Sequence, residues 1–150
     1  MTRFFKFEAD FVESLHCIPM QVRLKLDTCG IKLKLNHWNR FNKQDREALI
    51  QNPCQSPEEI TQYRHFLQGL VLDRTGESAK DLAVDDNPPW MNQAEIPDGV
   101  QDKAQQFGIT LTLEQWVKLE PIERFALIKL SRSSHENANF LPALKELNLV

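Results

Sequence analysis

The second half of this chain restates the first. Displaced against itself by 78 residues, the sequence aligns 18–50 with 96–128 without a gap, and thirteen of the 33 pairs are identical, where average residue usage gives about two. Self-similarity at a fixed spacing means one supersecondary unit used twice. The shared pattern runs Ile-Pro-x-x-Val-x-x-Lys-x(4)-Gly-Ile-x-Leu-x-Leu-x-x-Trp-x(7)-Arg-x-Ala-Leu-Ile. Each of its residues has a mechanical use, so it describes an architecture and not a catalytic signature.

Proline suits the first turn of a helix, where its missing N–H costs nothing, and glycine suits the left-handed residue just past the end. Pro19 to Cys29 and Pro97 to Phe107 are therefore expected to be helices closed by Gly30 and Gly108. Ile31, Leu33 and Leu35 alternate with lysines, and Ile109, Leu111 and Leu113 with threonines. That period alone favours a short strand, but an extended connector is the expectation adopted. Leu35, Trp38 and Phe41, like Leu113, Trp116 and Leu119, then recur at i, i+3, i+6, an apolar stripe on a short helix whose tryptophan plugs the core.

The next helix spans about 43–52, with Asn42 as cap and Asn52-Pro53 as stop, and its counterpart begins at Pro121 and runs to about Leu130. Arg46 and Arg124 recur inside them. Each arginine is read as a cation–π or salt-bridge clasp on its tryptophan, or as an exposed side chain covering apolar surface with its stem. Ser56-Pro57-Glu58-Glu59 opens the clearest helix with a capping box; Ile60, Tyr63, Leu67, Leu70 and Val71 form its inner face, and it ends near Gly76. At the matching place in the second copy, 139–147 carries Phe140, Leu141, Leu144 and Leu147, with Asn139 as cap. Between the copies, 78–84 reads as a short helix and Asp85 to Trp90 as a loop. Before them, Phe4, Phe7, Phe11, Val12 and Leu15 fall near one helical face, while Phe5-Lys6-Phe7-Glu8 equally suits an extended segment. The expected fold is all-α: a single compact helical domain over 1–150, made of two pseudo-equivalent helical units, 18–76 and 96–150.

With 41% hydrophobic and 26% charged residues the chain has the makeup of a folded globular protein. No stretch approaches the apolar length of a membrane span and the N-terminus has no signal-peptide core, so a cytoplasmic location without membrane contact is expected. The net charge of −3 lies over an asymmetry, with nine Lys/Arg against five Asp/Glu in 1–46. This is too weak a bias for nucleic-acid binding, though enough to steer an acidic partner.

Three cysteines without a C-x-x-C pair fit free thiols in a reducing compartment. His16 abuts Cys17, and helical neighbours point apart, so no Cys-His nucleophile is expected. His16, Cys17, Cys29, His37, Cys54 and His65 lack metal-site spacing, which leaves core thiols and surface histidines. Five scattered glycines make no phosphate loop. The expectation is thus no catalytic residue, no metal and no cofactor. Residues peculiar to the first copy are free to serve another purpose; Arg23 and Asp27 stand at i, i+4, as a surface pair or as a polar contact for a partner. Together with Lys25, Phe5 and Phe7 they are the partner-binding candidates, and Cys17 and Cys29 are the redox or ligand candidates.

Phe7-Glu8-Ala9-Asp10-Phe11, the run Cys17-Ile18-Pro19-Met20-x-Val22-Arg23-x-Lys25-Leu26-Asp27-x-Cys29-Gly30-Ile31-Lys32-Leu33 and the tryptophan at 38 resemble the nitrate reductase associated protein family over nearly the whole chain. Members are small proteins, mainly of oxygenic photosynthetic bacteria, typically encoded beside assimilatory nitrate reductase and molybdenum-cofactor synthesis genes. The resemblance implies an accessory protein that binds nitrate reductase and supports its maturation, cofactor insertion or activity, with no chemistry to carry over. The alternative is a small ligand- or metal-binding carrier using the cysteines and the cleft between two halves.

Overall fold

The computed structural model describes residues 5–8, 18–132 and 139–150, with only the backbone of Phe7. The helical face expected of Phe4, Phe7, Phe11, Val12 and Leu15 lies largely outside these residues. The chain forms two compact units, one of 8–85 and the other of 86–150 joined by 5–7. The architecture is all-α, with one two-stranded pairing among the described residues.

In the first unit, α1 (Met20–Cys29) is followed by β1 (Ile31–Lys32), α2 (Leu35–Arg40), α3 (Lys43–Gln51), α4 (Pro57–Thr75) and β2 (Lys80–Asp81). Pro19 offers α1 no side-chain cap; instead the buried Glu8 carboxylate accepts from the Met20 N–H at 3.1 Å, a negative group at the positive end of a helix. The expected Ser56 capping box forms, and the Asn42 cap is also a full box. Asn42 and Asp45 exchange bonds of 2.8 and 3.0 Å before α3, as do Ser56 and Glu59 at 3.2 and 3.0 Å before α4. Helix α4, 19 residues long, is the spine of the unit, and its Tyr63, Leu67, Leu70 and Val71 bury against Val22, Leu26, Cys29, Trp38, Leu49 and Cys54.

The second unit holds a 3-10 turn (Pro89–Met91), α5 (Asp98–Gln105), α6 (Leu113–Lys118), α7 (Pro121–Arg132) and α8 (Phe140–Glu146). Helix α7 is its centre: Arg124, Phe125, Ala126, Leu127, Ile128 and Leu130 are all buried, so the helix is enclosed on most sides and not on a single stripe. Helices α1 and α5, α2 and α6, and α3 and α7 each begin 78 residues apart, the spacing of the sequence repeat. Residues 5–7 belong here as well, the Lys6 N–H donating to Glu146 Oε1 at 2.8 Å.

Five local expectations are corrected. The run from Ile31 contains a strand, brief because Lys32 pairs with Lys80 and Ile31 with Asp81, and 78–84 is accordingly extended there and not helical. Its backbone bonds go across to β1, and the Leu82 N–H reaches Gly30 O at 2.8 Å. Leu35 and Leu113 are 48% and 45% exposed, so the stripe on α2 and α6 begins only at the tryptophan; each leucine opens its helix, on the first turn, facing outward. Asn139 makes no side-chain cap, its backbone being already helical. His37 is buried and not a surface residue. Its Nδ1 accepts from the Lys34 N–H at 3.3 Å, leaving Nε2 to donate to Glu77 Oε1 at 2.7 Å.

Gly30 and Gly108 occupy the same motif position, with φ of +78° and +75°, but different surroundings. A Cβ on Gly30 would meet Val84 Cγ2 at 2.8 Å and Leu82 O at 3.0 Å, whereas one on Gly108 meets nothing within 4 Å. Gly108→Ala is expected to cost only the left-handed backbone, about 1 kcal/mol. Gly30→Ala adds a collision with the strand pairing and should cost about 2–3 kcal/mol, read by denaturant melts. Equal losses would show that Val84 and Leu82 move aside freely.

Candidate functional site

The candidate site lies within the first unit, where the end of α1 meets the segment joining α3 to α4. Helix α3 stops at Asn52-Pro53 with its last carbonyls open, and such groups need donors. Lys25 supplies them, its Nζ lying 2.6 Å from both Ile50 O and Asn52 O and 3.5 Å from Leu49 O, a cation at the negative end of a helix. The buried Tyr63 hydroxyl donates to Leu49 O at 2.7 Å, and the Lys25 ammonium sits 5.5 Å from the Tyr63 ring centroid. Half-burial of Lys25 pulls its pKa down, and burial pushes that of Tyr63 up. Lys25 is thus committed inside the fold, and is a structural residue before it is a contact for a partner.

Directly beside it are two thiols. Cys29 closes α1 and Cys54 lies in the segment after α3; both are free and buried. Each sulfur approaches a carbonyl of α1, Cys29 Sγ at 3.8 Å from Leu26 O and Cys54 Sγ at 3.8 Å from Lys25 O. Lys25 and Leu26 are consecutive, so the two sulfurs face adjacent carbonyls of the same helix. The bond from Cys54 holds the Cys29 thiol below its usual range against the opposing effect of burial, and the Arg64 charge adds to that. Cys54 is pushed up by the same bond and by burial. Arg64 Nη1 donates to Cys29 O at 2.9 Å and Gly30 O at 2.8 Å, and Nη2 pairs with Asp81, which fixes the turn after α1.

The candidates from the sequence are therefore dispersed. Arg23 and Asp27 are half-buried on α1, Arg23 Nη1 lying 3.8 Å from Met20 Sδ. Phe5 is 1% exposed and so is already covered by the protein; as folded it presents no ring to a partner. Cys17 and the Phe7 side chain lie outside the described residues. Cys54 was weighed in the sequence only as a metal ligand or core thiol, because nothing in its spacing shows that a residue 25 positions on returns to the cluster that holds Cys29. Among the described residues no group of three or more His, Cys, Asp or Glu side chains is placed to hold a metal ion.

A pair of neighbouring buried thiols, one favoured as thiolate, next to a lysine is chemically capable of sulfur redox chemistry. No curated protein sequence and no solved structure matches the chain. A family model does, over residues 4–147, and its description is conserved nitrate reductase-associated protein. This chain belongs to that family, the conserved nitrate reductase-associated proteins.

Proposed function

We propose that the protein is a non-catalytic, cytoplasmic accessory factor that binds assimilatory nitrate reductase and supports its maturation, cofactor insertion or activity. The observation that carries this reading is the family match across residues 4–147. The architecture agrees with it: the side chains of Lys25, Arg64 and Arg124 are spent on backbone carbonyls that hold helices and turns together. No helix there is long and apolar enough to cross a membrane, and a net charge of −3 gives no general attraction to nucleic acid. Arg23 and Asp27, half-exposed on α1, are the proposed polar contacts for the reductase.

The test is capture of nitrate reductase, both cofactor-loaded and cofactor-free, on the immobilised full-length protein. Wild-type protein is expected to retain at least one form stoichiometrically, and Arg23→Glu to weaken retention about tenfold, the loss of one good interface contact. Preference for the cofactor-free form would place the role in maturation. Failure to retain either form would overturn the reading.

A further inference from the structure

We propose that Cys29 and Cys54 form a reversible dithiol–disulfide site that is oxidised by a two-electron oxidant of the peroxide class. The inference rests on placement within the first unit and is independent of what the protein binds. Two buried thiols in separate places would be ordinary packing residues. Here one closes a helix, the other lies 25 residues on, and both are turned to adjacent carbonyls of α1, each sulfur 3.8 Å from its oxygen, within one buried cluster.

The surroundings assign the roles. The neighbouring Cys54 and the Arg64 guanidinium, whose Nη1 sits 2.9 Å from the Cys29 carbonyl, favour the thiolate of Cys29, which is therefore the first nucleophile. Its thiolate attacks one oxygen of the peroxide, the O–O bond breaks, and hydroxide departs and takes up a proton, leaving a sulfenic acid on Cys29. The Cys54 sulfur, beside the Lys25 ammonium, then attacks the Cys29 sulfur; the S–O bond breaks and water leaves with the Cys54 proton. Two thiols and one hydrogen peroxide become one disulfide and two waters. A small-molecule dithiol returns the pair by exchange, becoming a cyclic disulfide itself. Access comes from the side of the joining segment, where the flanking Pro53 and Gln55 are exposed. The product would tie the end of α1 covalently to the segment that Lys25 already holds by hydrogen bonds.

The experiment treats the reduced, native, full-length protein with hydrogen peroxide, blocks remaining thiols by alkylation, and maps peptides without reductant. The expected product is a Cys29–Cys54 linked peptide lighter by two hydrogens, formed equally in Cys17→Ser and reversed by dithiothreitol. In Cys54→Ala, Cys29 should instead be trapped as the sulfenic acid by dimedone. Pairing of Cys29 with Cys17, or a wild-type protein that keeps both thiols reduced until it is unfolded, would overturn the proposal without bearing on reductase binding.

Discussion

Replacing Arg124 by methionine is expected to destabilise the protein by about 3–5 kcal/mol, the range for deleting one member of a buried charged network. The guanidinium is 2% exposed. Its Nε donates to Trp90 O at 2.6 Å, and Nη1 donates to Trp116 O at 3.3 Å and to Leu119 O. It therefore joins three pieces of the second unit: the 3-10 turn, the end of α6 and the start of α7. Burial lowers its pKa, yet a guanidinium stays charged, and the carbonyls stand in for water around it. Methionine fills comparable space but donates nothing, so three acceptors lose their partner, each at a cost of about 1–3 kcal/mol where water cannot enter. Around the turn, Trp90 packs edge-on against Phe125 at 5.0 Å and Asn92 O accepts from the Trp116 indole at 3.1 Å; losing the arginine loosens both.

The control is the matching residue of the first unit. Arg46 also donates to its tryptophan's carbonyl, Nε and Nη2 reaching Trp38 O at 3.2 and 3.0 Å, with the guanidinium 5.5 Å from the ring centroid. It is only half-buried, so water replaces what methionine cannot supply, and Arg46→Met should cost about 1 kcal/mol. Thermal melts would separate the two, with a fall of about 10 °C for Arg124→Met against about 3 °C for Arg46→Met. Equal shifts would mean that the Arg124 carbonyls are hydrated once the side chain is gone.

Much of this was open to reading in the residues because it depends on near neighbours. Ser56 and Glu59, or Asn42 and Asp45, are three apart, and capping needs nothing from the rest of the chain. Gly30 and Gly76 end their helices left-handed for the same local reason. The tryptophans at 38 and 116 were placed in the core by period alone, and they are buried. Long-range partners were not legible. The pairing of Ile31–Lys32 with Lys80–Asp81 depends on a return of the chain that no period encodes, and the burial of His37 depends on Glu77, 40 residues away. The arginines are instructive: their recurrence was visible and the cation–π contact forms at Arg46, but the bonds of both guanidinium groups to backbone carbonyls carry no sequence signal. The Cys29–Cys54 neighbourhood belongs to the same class, since it depends on the packing of the end of α3 onto α1, which Lys25 bridges.

Phe5→Ala is expected to lower stability by about 3 kcal/mol, the lower end of the range for emptying a buried phenylalanine site, and to leave reductase capture unchanged when measured well below the melting temperature. From the sequence, Phe5 was a candidate contact because an apolar side chain near a terminus has nothing obvious to cover it. In the folded protein it is 1% exposed and belongs to a short segment, 5–7, that is part of the second unit, where the Lys6 N–H donates to Glu146 on α8. A buried ring contributes roughly 1.5–3 kcal/mol by removal from water, and the cavity it leaves adds to the loss because close-packed neighbours relax only in part. The two accounts separate cleanly. If Phe5 is a core residue, the melting temperature falls by about 6–12 °C and capture at low temperature matches wild type, while Arg23→Glu does the reverse, retaining its melting temperature and losing capture. If Phe5→Ala abolishes capture with no change in melting, the ring leaves its site to engage the reductase, and the segment holding it is part of the binding surface.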